Sequence, residues 1–208
     1  MNGPENNDAQ QFRGNLAEAY GADGKYPQAE ALVSQILEVQ RRKQRADDPV
    51  ALYCFSFAAF LYQRQAQYAL AETYGARALA GRRHALGSDH PETMDSAANL
   101  ALAYQSQGKF TESEFLAREA VEFFKKKQSD DWQRFRAESL LGASLAGQKK
   151  YTEAEPLLLA GYNGMLSRKE RIDAPDRYYL DRAREWLVQL YEAWGKPEKA
   201  GEFAAELN

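Results

Sequence analysis

The chain has 208 residues, 44% of them hydrophobic and 27% charged, with a formal net charge of −3. This make-up belongs to a folded soluble protein, and the slightly negative balance offers no basic field for nucleic acid. The most apolar stretch, Ala51 to Tyr62, is too short to span a bilayer, and Cys54, the single cysteine, excludes an internal disulfide and reads as a core residue. Residues 1–8, Met1-Asn2-Gly3-Pro4-Glu5-Asn6-Asn7-Asp8, have neither a basic start nor an apolar run. They read as a loose tail rather than a signal peptide, so the cytoplasm is the expected compartment.

From residue 9 onward, helical apolar patterns alternate with short turns. The first hairpin covers about 9–45 and turns at Gly24-Lys25-Tyr26. The second, about 48–84, opens at Asp48-Pro49, a capping residue followed by a proline whose missing N–H costs nothing in a first turn. It turns at Ala66-Gln67-Tyr68. The third, about 91–127, opens at His90-Pro91 and carries Leu100, Ala101 and Tyr104 on one face. After Gly108-Lys109-Phe110, its second helix bears a stripe of Leu116, Ala117, Ala120 and Val121. The fourth, about 130–168, has Ser129-Asp130 as its start signal and turns at Lys149-Lys150-Tyr151. The fifth, about 176–206, opens at Pro175 and turns at Gly195-Lys196-Pro197. First helices are predicted near 9–22, 48–64, 91–107, 130–147 and 176–194. Second helices are predicted near 26–45, 68–84, 110–127, 151–168 and 197–206.

The hairpins repeat. Tyr20, Tyr62 and Tyr104 stand 42 residues apart, and each is followed six residues later by an aromatic: Tyr26, Tyr68 and Phe110. Leu145/Tyr151 and Tyr191/Pro197 continue the pattern at intervals of 41 and 46. Three residues beyond each of these come Ala29, Ala71, Ser113, Ala154 and Ala200, small side chains where two helices must cross closely. No single hairpin can bury its own stripe, so the period predicts a stacked array that holds something rather than transforms it.

Other features carry plain structural readings. Arg41-Arg42-Lys43, Arg82-Arg83-His84, Lys125-Lys126-Lys127 and Arg168-Lys169 end second helices, where cations oppose the negative end of the helix dipole. The competing reading is a basic ridge for an acidic or phosphorylated partner. His84 and His90 are the only histidines. With Asp89 and Glu92 they have ligand chemistry but match no standard zinc spacing, so no metal and no cofactor are expected. Carboxylate pairs such as Asp47-Asp48, Glu112-Glu114 and Glu153-Glu155 fall at turns and helix starts and read as solvated surface. No serine, cysteine or lysine has a recognisable base beside it, so the chain is not read as an enzyme.

The run Leu86-Gly87-Ser88-Asp89-His90-Pro91-Glu92-Thr93, continued by Ala98-Asn99-Leu100-Ala101-Leu102-Ala103-Tyr104 and Gly108-Lys109-Phe110-Thr111-Glu112-Ser113-Glu114, resembles the long tetratricopeptide repeat of kinesin light chains, a variety shared by many bacterial proteins. The resemblance covers roughly residues 13–206 and implies an all-α, right-handed superhelical solenoid of five hairpins. Residues 157–197, from Leu157-Leu158-Leu159 to Gly195-Lys196-Pro197, also resemble the ends of repeat regions attached to bacterial serine/threonine kinases, although no kinase motif is present.

In that family the first helices line a concave groove. Alignment on Tyr20, Tyr62 and Tyr104 carries its groove positions to Asn15 and Glu18 and to Tyr53, Ser56, Phe57, Phe60, Gln63 and Arg64. It also reaches Asp95, Ala98, Asn99, Leu102, Gln105 and Ser106, then Arg136 and Ser139. By the resemblance, Asn15 and Asn99 hold a ligand main chain, which an amide can do as donor and acceptor. The basic clamp of the family's acidic-tail binders is absent, since Gly14, Ser56, Ala98 and Ser139 occupy the lysine position. Tyr53, Phe57 and Phe60 instead predict a protein or peptide partner with hydrophobic anchors, and neither nucleic acid nor membrane. Because Ala51 to Tyr62 is apolar around most of its circumference, self-burial or a homo-oligomer stays open. The expected function is a non-catalytic scaffold or adaptor. The alternatives are a self-assembly module or the regulatory part of a bacterial kinase system.

Overall fold

Five turns of one geometry set the architecture. At each, the N–H two residues into the turn donates back to the last marker residue of the first helix: Lys25 to Tyr20, Gln67 to Tyr62, Lys109 to Tyr104, Lys150 to Leu145 and Lys196 to Tyr191, at 2.8–3.0 Å. This is the six-to-one bond of a Schellman closure, which needs a left-handed residue just before the donor. Gly24, Gly108 and Gly195 supply it with φ of 72°, 75° and 73°, and the same position is held by Ala66 at 57° and Lys149 at 63°. An L side chain is strained there, whereas glycine is not. Ala66→Gly and Lys149→Gly should therefore each raise stability by about 0.5–1 kcal/mol, less what glycine adds to the unfolded chain's freedom. The check is a higher urea midpoint at unchanged slope; a lower midpoint in both variants would refute the strain.

The computed structural model describes residues 7–43, 48–127 and 130–204. Among them are ten α-helices and no strand. The helices are α1 (Asn7–Ala22), α2 (Tyr26–Arg42), α3 (Pro49–Arg64), α4 (Tyr68–Leu86) and α5 (Pro91–Ser106), then α6 (Phe110–Lys126), α7 (Trp132–Gly147), α8 (Tyr151–Leu166), α9 (Tyr178–Ala193) and α10 (Pro197–Ala204). Each helix begins and ends within a few residues of its predicted span. The expected tail and the residues Asp47 and Ser129 lie largely or wholly outside the described residues.

Helix starts follow local chemistry. The Asp48 carboxylate accepts from the Val50 N–H at 2.9 Å, capping α3 ahead of Pro49. Ahead of α5, the Glu92 N–H donates to His90 Nδ1 at 3.3 Å, so the imidazole serves as a cap. Two expectations are corrected. Pro175 sits in a short 3-10 turn, Ala174–Arg177, and α9 begins only at Tyr178; the fixed φ of proline suits that tighter turn as well. Asp130 does not cap α7 but pairs with Arg168, whose guanidinium also donates to the Gly164 carbonyl at the end of α8.

The chain divides into two compact units, Met1–Ala103 and Tyr104–Asn208, and the division falls within α5. The first unit's core joins Ala17, Ala29, Val33, Ile36, Cys54, Ala58 and Leu61 from α1, α2 and α3. The second unit buries Leu140, Leu145, Leu158, Met165, Leu187 and Leu190 from α7, α8 and α9. All five small residues predicted at the crossings are buried. Cys54 lies in the core, and burial pushes its thiol up to about 12. It is a packing residue and not a reactive one.

Ties between helices reinforce the second unit. The hydroxyls of Ser113 and Ser144 are 2.7 Å apart, and Ser144 also donates to the Leu140 carbonyl. Glu114 accepts from Arg118 at 2.6 Å, from Gln148 at 2.7 Å and from Lys150 at 3.3 Å. These bonds, Arg118 first, hold its carboxyl down to about 2 against the opposing effect of burial.

Candidate functional site

The aligned first-helix positions sort into open and closed sets. In the first unit, Tyr53, Phe57 and Phe60 follow one another along one face of α3, at the four- and three-residue steps of a helical stripe. Their rings stack in sequence, Tyr53 on Phe57 and Phe57 on Phe60, with centroids 6.3 Å apart at each step. The stripe is held against α1. The Tyr53 hydroxyl donates to the Glu18 carboxylate; burial, the Glu18 hydrogen bond and its charge raise the phenol's pKa. A Cβ built on Gly21 would lie 3.0 Å from the Phe57 ring, so glycine lets that ring settle on the α1 backbone. Tyr53 nonetheless keeps 37% of its surface, and Phe57 and Phe60 stay half-buried. Asn15 is exposed, with its carboxamide oxygen 3.4 Å from the Gln11 amide, and Asn99 is half-buried.

Other candidates are enclosed. Leu102, Gln63 and Arg136 are all buried. The Arg136 guanidinium lies over the Trp132 and Tyr179 rings, 5.5 and 4.6 Å from their centroids. Ser56 accepts from Arg82 at 2.9 Å. Arg82 itself departs from the dipole reading of its basic cluster: it is 7% exposed and reaches inward to Ser56 and Ser96. Arg41 follows that reading at the end of α2, paired with Glu38 at 2.8 Å on the surface.

The second unit contains first-helix positions that the alignment had not carried forward. A cleft of about 160 Å³ is lined by Gln105, Ala143, Ala146, Trp186 and Gln189, among others. Counting from Leu145 and Tyr191 as from Tyr62 places Ala143 and Gln189 at the position of Phe60, and Trp186 at that of Phe57. Gln105, one of the aligned groove positions, is half-buried and lines this cleft. Among the described residues no three or more His, Cys, Asp or Glu side chains stand together as a metal cluster, and no helix is long and apolar enough to cross a membrane.

Comparison with known proteins agrees with the hairpin geometry. A search of curated proteins finds no match. Among solved structures, the kinesin light chain nearly identical TPR-like repeats of Podosopora anserina are 22% identical and superpose with a TM-score of 0.71 over 99% of this chain and 94% of that one. BtubC (BKLC) from P. vanneervenii is 19% identical with a TM-score of 0.69, covering 96% of this chain and 78% of that one. PilF of Pseudomonas aeruginosa is 18% identical with a TM-score of 0.55, covering 96% and 90%. These likenesses show the fold. The family model for the tetratricopeptide repeat matches residues 8–83 and 51–126, more than half of the sequence, and the chain belongs to the tetratricopeptide repeat family.

Proposed function

We propose that the chain is a non-catalytic adaptor that captures a protein segment on its first-helix faces, with hydrophobic anchors seated on the α3 stripe. Tetratricopeptide repeats mediate protein–protein interaction, which gives the class of activity. The observation that carries the finer reading is the ladder of Tyr53, Phe57 and Phe60, three aromatics in one row that their own unit covers only in part. Water-facing aromatic area of this kind is costly, and covering one such ring is worth about 1.5–3 kcal/mol. Asn15 and Asn99 serve in this reading as amides for the segment's main chain.

The test is capture with the folded chain as bait, mapping of the captured segment to a synthetic peptide, and its titration against Phe57→Ala/Asn99→Ala. The double variant should bind at least tenfold more weakly while keeping its helical circular dichroism. Unchanged affinity would move the site elsewhere. Light scattering across a concentration series gives the other arm: a mass that doubles with concentration, and that Phe57→Ala returns to the monomer, would make this face a self-assembly surface.

A further inference from the structure

A pocket of about 260 Å³ opens in the first unit between the second helices α2 and α4, with α3 as its floor. Its apolar wall is Leu37, Ala51, Phe55 and Tyr74. Phe55 stands two residues from Phe57, so it lies about 200° around α3 from the aromatic stripe. Three charged groups line the pocket: Glu38, Arg41 and Arg77. Two of them cancel, because Arg41 Nε and Nη2 donate to the two Glu38 oxygens at 2.8 and 2.9 Å. Ser34 and Gln40 complete the lining and are neutral. Arg77 is exposed, with its Cζ 4.4 Å from the Phe55 ring centroid. Its guanidinium has no hydrogen bond or ion pair among the described residues. The pocket therefore carries one positive charge without a counter-ion. A guanidinium held over a ring keeps its in-plane N–H fork available.

The second unit shows what this junction accepts. Counting from Leu145 as from Tyr62 places Glu138 at the position of Phe55, and counting from Phe110 as from Tyr26 places Lys125 at that of Arg41. Glu138 is 4% exposed, and its carboxylate stands 3.7 Å from Lys125 Nζ and 3.3 Å from Arg134 Nε. There the protein builds in its own carboxylate. The first unit puts a phenyl ring in that place and leaves a guanidinium unmatched. An ammonium would meet two arginines, and a purely apolar group would strip water from Arg77 without pairing it. A phosphate brings a charge of about −1.5 to −2, more than the one free guanidinium neutralises. A carboxylate matches that single charge and takes the fork in bidentate fashion. The volume corresponds to roughly nine waters, room for an acidic side chain and part of an apolar neighbour against Leu37 and Tyr74. We infer that this pocket docks an acidic side chain of a protein partner, flanked by an apolar residue. It gives the first unit a second docking face, on the α2–α4 side, that does not depend on the α3 stripe.

The test uses the full chain, labelled with ¹⁵N, and the capped tripeptide acetyl-Leu-Glu-Leu-amide as probe. The backbone N–H signals of Leu37 and Phe55 should move saturably at millimolar peptide. The glutamine analogue, acetyl-Leu-Gln-Leu-amide, should bind about fivefold more weakly or worse, because it keeps the apolar contacts and loses the charge. Arg77→Lys should weaken the acidic peptide by a similar factor of about five, because lysine keeps the charge and loses the fork. Helical circular dichroism should be unchanged in that variant, since the side chain is exposed. Phe57→Ala should leave the affinity unchanged, which separates failure of this pocket from failure of the α3 stripe. Signals that stay still at about 10 mM peptide, a limit that corresponds to a binding free energy of about −3 kcal/mol, would overturn the inference. Equal binding of the glutamine peptide would make the pocket an apolar contact alone, and tighter binding of inorganic phosphate would make it a general anion site. Either result, or an Arg77→Lys variant that binds as the parent does, would also overturn it.

Discussion

Gly161→Ala should lower the stability of the protein by about 2 kcal/mol, although alanine is the better helix former by about 1 kcal/mol. The sign is the test. Gly161 lies in α8 against α7, and a Cβ built on it would stand 2.1 Å from the Ser139 hydroxyl, 2.6 Å from the Phe135 carbonyl oxygen and 2.6 Å from the Ser139 nitrogen. Two of those three atoms are backbone and cannot rotate aside. The contact is matched from the other helix, where a Cβ on Gly142 would meet Leu158 Cγ at 2.8 Å and the Leu158 nitrogen at 3.0 Å. Gly164 extends the seam, with the Phe135 ring 2.0 Å from its would-be Cβ. Overpacking of this kind costs about 1–3 kcal/mol and more where backbone must move. Gly14 and Gly201, with nothing within 4 Å of a built Cβ, are the controls: alanine at either should be neutral or raise stability by up to about 1 kcal/mol. Urea unfolding followed by circular dichroism distinguishes the cases. If Gly161→Ala raised the midpoint as the controls do, the close α7–α8 crossing would be wrong.

Much of this fold was readable because one local device recurs. The six-residue step from Tyr20, Tyr62, Tyr104, Leu145 and Tyr191 is the span of a Schellman closure plus the first residue of the next helix. The register therefore located the turns even where Ala66 and Lys149 replace the glycine. What the sequence concealed was direction. Arg82 ends a helix and sits among basic residues, which suits a solvated cation. Yet it follows Ala71 and Ala78 by eleven and four residues, on the buried face of α4, and that spacing was the available signal. Leu102 and Arg136 occupy aligned groove positions but are buried, because a first helix in a stack has neighbours on more than one side and alignment alone does not say which side a given residue meets. Trp186 falls outside the groove positions aligned on Tyr20, Tyr62 and Tyr104, because the interval drifts to 46 before Tyr191. The same count from that tyrosine reaches it directly. The unmatched guanidinium of Arg77 needed coordinates, since no pattern of residue types reveals that a donor lacks a partner.

Arg82 is the joint of the first unit, and Arg82→Ala should cost about 2–3 kcal/mol. From α4 its Nη1 donates to Ser56 on α3 at 2.9 Å and to Ser96 on α5 at 2.6 Å, with the Glu92 carbonyl at 3.4 Å. Its Nε stands 3.5 Å from the Glu92 carboxylate. Hydrogen bonds from a charged donor are worth about 1.5–3 kcal/mol each in isolation, but burying the guanidinium consumes much of that gain, so the loss is set mainly by the hydroxyls left behind. Two companion variants separate these contributions. Arg82→Lys keeps the charge but replaces a planar fork with a point donor, and should recover less than half of the loss. Arg82→Met with Ser56→Ala and Ser96→Ala removes donor and acceptors together, and should return to within about 1 kcal/mol of the parent. Because the contact is buried, the cost of Arg82→Ala should persist in about 1 M salt, where surface pairs such as Arg41–Glu38 are screened. A cost below about 0.5 kcal/mol, or one that vanishes in salt, would return Arg82 to the role of an exposed cation at a helix end.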